Sequence, residues 1–169
     1  VWSFLYRRSF LLGNGLFMPE GIYFEDELFI PRMLLQAKKV RLSPVLAYAY
    51  RQRGRSITST TESEHVVRSF TDRLYVAERL CRLRDTLEGE ARGGLSRKIS
   101  FYCMDILRLL GRAGLPRETV KDVLKRLKDS GAYPPVPSFY SWKYAVFRSF
   151  IATERRYFMC LRSGLSRFF

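Results

Sequence analysis

Partway along this chain the apolar residues begin to recur at the spacing of a helix, and this pattern limits the folds that the chain can adopt. From Val67 to Cys81 they recur at intervals of 3, 4, 3 and 4 residues, which places them on one helix face. Similar spacing predicts further helices over about residues 95–110 and 116–131. The sequence therefore predicts a mainly α fold, with a bundle-like helical extension over residues 63–169.

Residues 1–62 lack this sustained spacing and are predicted to form a small α/β remnant. Alternating side chains over residues 45–51 predict a strand, and the apolar run 22–24 predicts a shorter extended segment. Three acids then open a predicted helix over residues 25–39, because carboxylates suit the positive end of a helix dipole. Pro31 lies inside this helix and should kink it or shift its start.

The charge of the chain indicates the kind of partner it meets. Its 169 residues include 30 basic and 16 acidic side chains, a net charge of +14, which favours polyanionic partners. Residues 138–169 are rich in aromatic rings and contain six basic residues but one acid, a composition that suits an anionic membrane interface. The alternative is that the aromatic face packs on the preceding helices. No apolar run reaches the length of a spanning helix, which disfavours an integral membrane protein.

The sequence contains few residues that suit a metal or a thiol nucleophile. Cys81, Cys103 and Cys160 are widely spaced and lie in apolar surroundings, so we expect buried structural thiols in a reducing compartment. His65 is the only histidine and has no second His or Cys at metal-ligand spacing. We assign no metal site to the chain.

Two groups of residues are candidates for a functional site. The pair Glu25-Asp26 follows an apolar extended run, where a carboxylate can serve as a general base; compensation of the helix dipole is the alternative. Arg51, Arg53 and Arg55 alternate beside Gly54, and their guanidinium groups suit phosphate oxygens. A solvated basic loop is the alternative for this second group.

Several motifs follow one another in a specific order within residues 1–62. They occupy residues 2–11, 16–17, 19–22, 25–29, 37–40, 48–51 and 56–57, with Glu25-Asp26-Glu27 at the centre. This ordered set resembles the acceptor-side half of bacterial family 2 glycosyltransferases of the GT-A type. Residues 63–169 resemble that family only in being a helical, basic extension with an aromatic-rich tail.

The resemblance implies an inverting transfer of sugar from a nucleotide-sugar donor to a glycan acceptor, which we expect to be lipid-linked. It also implies a cytoplasmic protein held peripherally at the inner face of the cell membrane, a location that the basic, aromatic tail fits. In that family the Asp of the pair is the catalytic base, so the role falls on Asp26, with Glu25 beside it in the acceptor site. Trp2 matches a position near the acceptor pocket. The remaining matches fall in a loop near the donor diphosphate: Arg51, Arg55 and Ser56.

One part of the family pattern is missing from these residues. The nucleotide-binding half, with its metal-binding Asp-x-Asp, would precede Trp2, and no Asp-x-Asp occurs in this sequence. We therefore expect the isolated chain to be inactive, and a divalent Mg or Mn ion to bind only with the upstream half. The sheet edge left exposed would favour a homodimer.

Two functions without catalysis compete with this interpretation. The net charge would suit a basic helical module that binds nucleic acid, and a helical domain that binds a protein partner is a further alternative. Against nucleic acid, the basic residues of 61–137 are interleaved with eleven acids, and no known binding motif occurs.

Overall fold

The computed structural model describes residues 3–49 and 63–163, and within them the chain is helical. The predicted mainly α class is confirmed, and no strand occurs in the described residues. The helices are α1 (Arg8–Gly13), α2 (Glu25–Gln36), α3 (Ser63–Asp85), α4 (Gly89–Arg112), α5 (Arg117–Asp129), α6 (Trp142–Ile151) and α7 (Glu154–Arg162). The chain divides into a first unit, residues 1–72, and a second unit, residues 73–169.

The first unit contains a small apolar core built around α2. Leu16, Phe29 and Met33 are buried there, and Tyr6 packs the edge of its ring on Phe29 with 5.8 Å between ring centroids. Helix α2 begins at the three acids and continues through Pro31. This small core holds the N-terminus of α2 in place.

The strands predicted for the first unit are wrong in the described residues. Residues 45–49 are exposed and have no regular structure, and residues 23 and 24 form a turn that leads into α2. An alternating pattern forms a strand only where a neighbouring strand pairs with its backbone, and the described residues provide none. A sheet edge, on which the expected homodimer depended, is therefore not present there.

The second unit has a larger core formed mainly by α3, α4 and α5. Helix α4 begins at Gly89, six residues before the start near residue 95 that the sequence predicted, and runs through Gly93 and Gly94. A helical glycine costs only about 1 kcal/mol, which the burial of the α4 face outweighs. The fully buried core side chains include Val76, Leu80, Cys81, Cys103, Ile106, Leu107, Leu110, Leu124 and Leu127.

The proline-rich connector before α6 is held by side chains of the helices around it. The buried Ser100 hydroxyl accepts from the Val136 N–H at 3.1 Å, and the Tyr144 hydroxyl donates to the Val136 carbonyl at 2.7 Å. Arg84 donates to the Gly131 carbonyl at 3.0 Å. Gly131 has a φ of 77°, and a Cβ there would lie 3.2 Å from the Arg84 guanidinium, so a side chain would disturb this contact.

The described part of the aromatic tail forms two helices, α6 and α7. The Ser141 hydroxyl caps α6, and the Thr153 hydroxyl accepts from the Arg156 N–H at 3.3 Å to start α7. Tyr157 is buried, and its hydroxyl donates to the Leu107 carbonyl at 2.8 Å, which fixes the rotation of α7. Among the described helices none is long and apolar enough to cross a bilayer.

Candidate functional site

Glu25 and Asp26 lie in the first turn of α2, and both side chains are half-buried. The positive end of the helix dipole stabilises negative charge at this position. A half-buried carboxylate remains open to a hydroxyl group that approaches from solvent. The structure thus places the predicted acidic pair where it can accept a proton.

The residue before this pair adopts a strained backbone conformation. Phe24 has φ 64° and ψ 31°, the left-handed region, which bulky side chains seldom occupy. Such a conformation costs on the order of 1–3 kcal/mol and concentrates at functional sites. It turns the chain sharply before Glu25, and nothing in the apolar run 22–24 signals it.

The first turns of α3 hold this strained turn in place. Asp72 is only 9% exposed and accepts from the Tyr23 N–H at 3.0 Å. Arg68 donates to the Gly21 carbonyl at 3.2 Å and stacks on the Tyr23 ring at 4.6 Å. The His65 ring lies 5.1 Å from the same ring, so this histidine packs against the turn. Sequence analysis missed Arg68 and Asp72, because their partners lie almost 50 residues away.

Tyr6 brings a phenol to the neighbourhood of the acidic pair. Burial raises the pKa of Tyr6, and the negative charge of Asp26 raises it further. The hydroxyl therefore stays protonated over the physiological range and can donate a hydrogen bond. A carboxylate with a protonated phenol nearby can orient and deprotonate an alcohol.

The other predicted site residues cannot be placed. Trp2, Arg51, Arg55 and Ser56 lie outside the described residues, so their roles stay predictions.

The thiols take no part in a reactive site. Cys81, Cys103 and Cys160 are free and buried, as predicted. Burial raises the pKa of Cys81, Cys103 and Cys160, which keeps them as thiols. The residues described contain no group of three or more His, Cys, Asp or Glu side chains that could hold a metal ion.

The second unit carries two surface grooves. One, of about 730 Å³, lies between α4 and α6 and includes Trp142, whose side chain is 65% exposed. The other, of about 520 Å³, lies between α5 and α7. The second groove is lined by Arg117, Lys121, Glu154, Arg155, Phe158, Met159 and Arg162.

Comparison with known proteins does not assign the chain. No protein family, no curated protein and no solved structure matches it. The acidic pair must therefore be judged by its own surroundings.

Proposed function

We propose that this chain is the acceptor-side part of an inverting family 2 glycosyltransferase of the GT-A type. The observation that carries the proposal is the half-buried Asp26 in the first turn of α2, two residues after the strained Phe24. The ordered motifs of residues 1–62 support it, since the acidic pair occupies the position of the family's catalytic base.

In the proposed reaction Asp26 accepts the proton of an acceptor hydroxyl. The oxygen attacks the anomeric carbon of the nucleotide sugar as the bond from that carbon to the diphosphate oxygen breaks. The nucleoside diphosphate leaves with the bonding electron pair, and the configuration at carbon inverts. Asp26 then returns its proton to solvent.

The first unit also has the exposed apolar surface that a second half would cover. Large apolar side chains outside a protein core are typical of surfaces that meet a partner or another domain. We assign the donor diphosphate and any divalent metal to the upstream half, and no step above passes through a metal. The exposed set includes Leu5, Leu12, Phe17, Leu34, Leu35, Val40, Leu42, Val45, Leu46 and Tyr48.

The proposed location of the sugar transfer is the inner face of the cell membrane, where a lipid-linked acceptor would be found. The excess of basic residues over residues 138–169 supports this location, because cations near anionic lipid favour attachment. Peripheral attachment would place the protein at the membrane surface that carries such an acceptor.

The test is sugar transfer by the longer protein that includes the coding sequence upstream of Val1. Asp26→Asn should lower kcat about 10²–10⁴-fold, the usual contribution of a general base, and leave donor binding unchanged. Glu27→Gln is the matched control, since it removes one carboxylate from the same turn. A panel of uridine and guanosine diphosphate sugars serves as donor.

The two variants separate catalysis from helix stabilisation. If both lowered kcat equally, the acids would serve the helix dipole, and Asp26 would have no place in the mechanism. An upstream sequence without an Asp-x-Asp would count against the family as a whole.

Binding of nucleic acid is the weaker candidate. Many cations of α3–α5 have acidic neighbours, which reduces the field that a phosphate backbone would meet. These pairs include Glu78–Arg126 at 2.7 Å, Lys121–Glu118 at 2.9 Å and Arg108–Asp105 at 3.1 Å.

A further inference from the structure

The groove between α5 and α7 concentrates positive charge. Four of its seven lining residues are cations, and Glu154 is its one carboxylate. Glu154 lies 3.7 Å from Lys128, a cation outside the lining, so part of its charge is already balanced there. Lys121 pairs with Glu118, so the excess of positive charge that the groove presents to solvent comes from its three arginines.

The core of the second unit fixes the orientation of these side chains. Tyr157 and Cys160 are buried on the inner face of α7. Arg155, Met159 and Arg162 follow one another at intervals of 4 and 3 residues and share the outer face. The cations are thus held on a rigid helix and do not depend on a loop.

Helix α5 supplies the opposite wall. Arg117 lies over the Phe158 ring, 5.2 Å from its centroid, and Lys121 pairs with Glu118 at 2.9 Å. The cation–π contact orients the Arg117 guanidinium at the groove. A phosphate placed between the helices would meet arginines from both walls.

An apolar side chain within this basic surface favours lipid over nucleic acid. Met159 is 61% exposed and lies between Arg155 and Arg162, the two arginines of α7 that line the groove. Cations beside an exposed apolar group suit the boundary between lipid headgroups and acyl chains. A nucleic-acid backbone offers phosphate but no apolar layer for Met159.

We propose that the α5–α7 groove binds a headgroup phosphate of an anionic bilayer, with Met159 inserted beside it. This inference rests on the membrane location proposed above and is independent of sugar transfer. Arg117 and Lys121, which sequence analysis did not single out, supply the α5 wall of this groove.

The test is co-sedimentation of the full chain with vesicles of equal parts phosphatidylglycerol and phosphatidylcholine. Binding should be lost in pure phosphatidylcholine and weakened by salt. Arg155→Gln/Arg162→Gln should lower the partition coefficient about 30-fold, since both cations face the lipid. Lys38→Gln/Arg82→Gln removes the same charge at exposed positions outside the groove and should leave most of the binding intact.

Three results would overturn the proposal. The first is an equal loss of vesicle binding in both double variants. The second is unchanged vesicle binding of the groove variant, when circular dichroism shows that both double variants are folded. The third is binding of the chain to duplex DNA or RNA but not to vesicles. Met159→Gln should weaken vesicle binding several-fold, and unchanged binding would remove the insertion step. Transfer to a detergent-solubilised acceptor tests the enzyme separately, so either proposal can fail alone.

Discussion

The two units of this chain bury their apolar residues to very different extents. The first unit closes a small core around Phe29 and Met33 and leaves long apolar side chains such as Leu5 and Leu46 exposed. The second unit buries nearly the whole apolar faces of α4 and α5. The unit with the acidic pair is thus the one with less core of its own.

The largest expected effect separates the stabilities of the two cores. Leu107 is 0% exposed in α4, so Leu107→Ala should lower the free energy of unfolding by about 2–5 kcal/mol. Met33→Ala makes the corresponding cavity in the first unit. In native-state hydrogen exchange, Leu107→Ala should reduce protection throughout the second unit, whereas Met33→Ala should act on α2 alone. Protection of α2 amides above that of α4 amides in the unmodified chain would reverse the comparison.

A smaller effect is expected at the turn before the acidic pair. Asp72→Ala leaves the Tyr23 N–H without its acceptor and should destabilise the turn by about 1–3 kcal/mol. We expect faster amide hydrogen exchange at Tyr23 and in the first turn of α2. Asp122→Ala, at an exposed position on α5, is the control. Equal changes in both units would show that Asp72 stabilises the whole chain and not this turn.

The smallest effect depends on pH. Tyr157→Phe removes the hydrogen bond to the Leu107 carbonyl and should cost about 1 kcal/mol at neutral pH. Burial raises the pKa of Tyr157 above the value near 10 of an unfolded chain. The protonated hydroxyl therefore contributes fully to the free energy of unfolding below about pH 10, and this contribution is lost as the pH rises further.

Denaturant titrations at neutral and alkaline pH measure this difference. The Tyr157→Phe variant should lose less stability on the alkaline side than the unmodified chain does. Tyr140→Phe, in the half-buried ring beside α6, serves as the control. An identical alkaline loss in all three proteins would mean that other buried groups govern it.

Helix positions were largely predictable, because apolar spacing and helix breakers act over a few residues. Helix α2 begins at Glu25, the first of the three acids, and the apolar spacing that begins at Val67 lies within α3. Gly93 and Gly94 misled the prediction for α4, since the burial of a long apolar face outweighs a local preference. The strand predicted over 45–51 failed at residues 45–49 because a strand depends on a partner that local sequence does not reveal.

The amino-acid sequence alone determined the helical class, the buried thiols and the acidic pair at the start of α2, since each follows from neighbouring residues. Only the tertiary structure placed Asp72 under the Tyr23 turn and set Arg117 opposite Arg162 across one groove. These residues are far apart in the chain and meet because packing of helix faces brings them together. Contacts of that kind follow from the shape of the core, which no local pattern of side chains encodes.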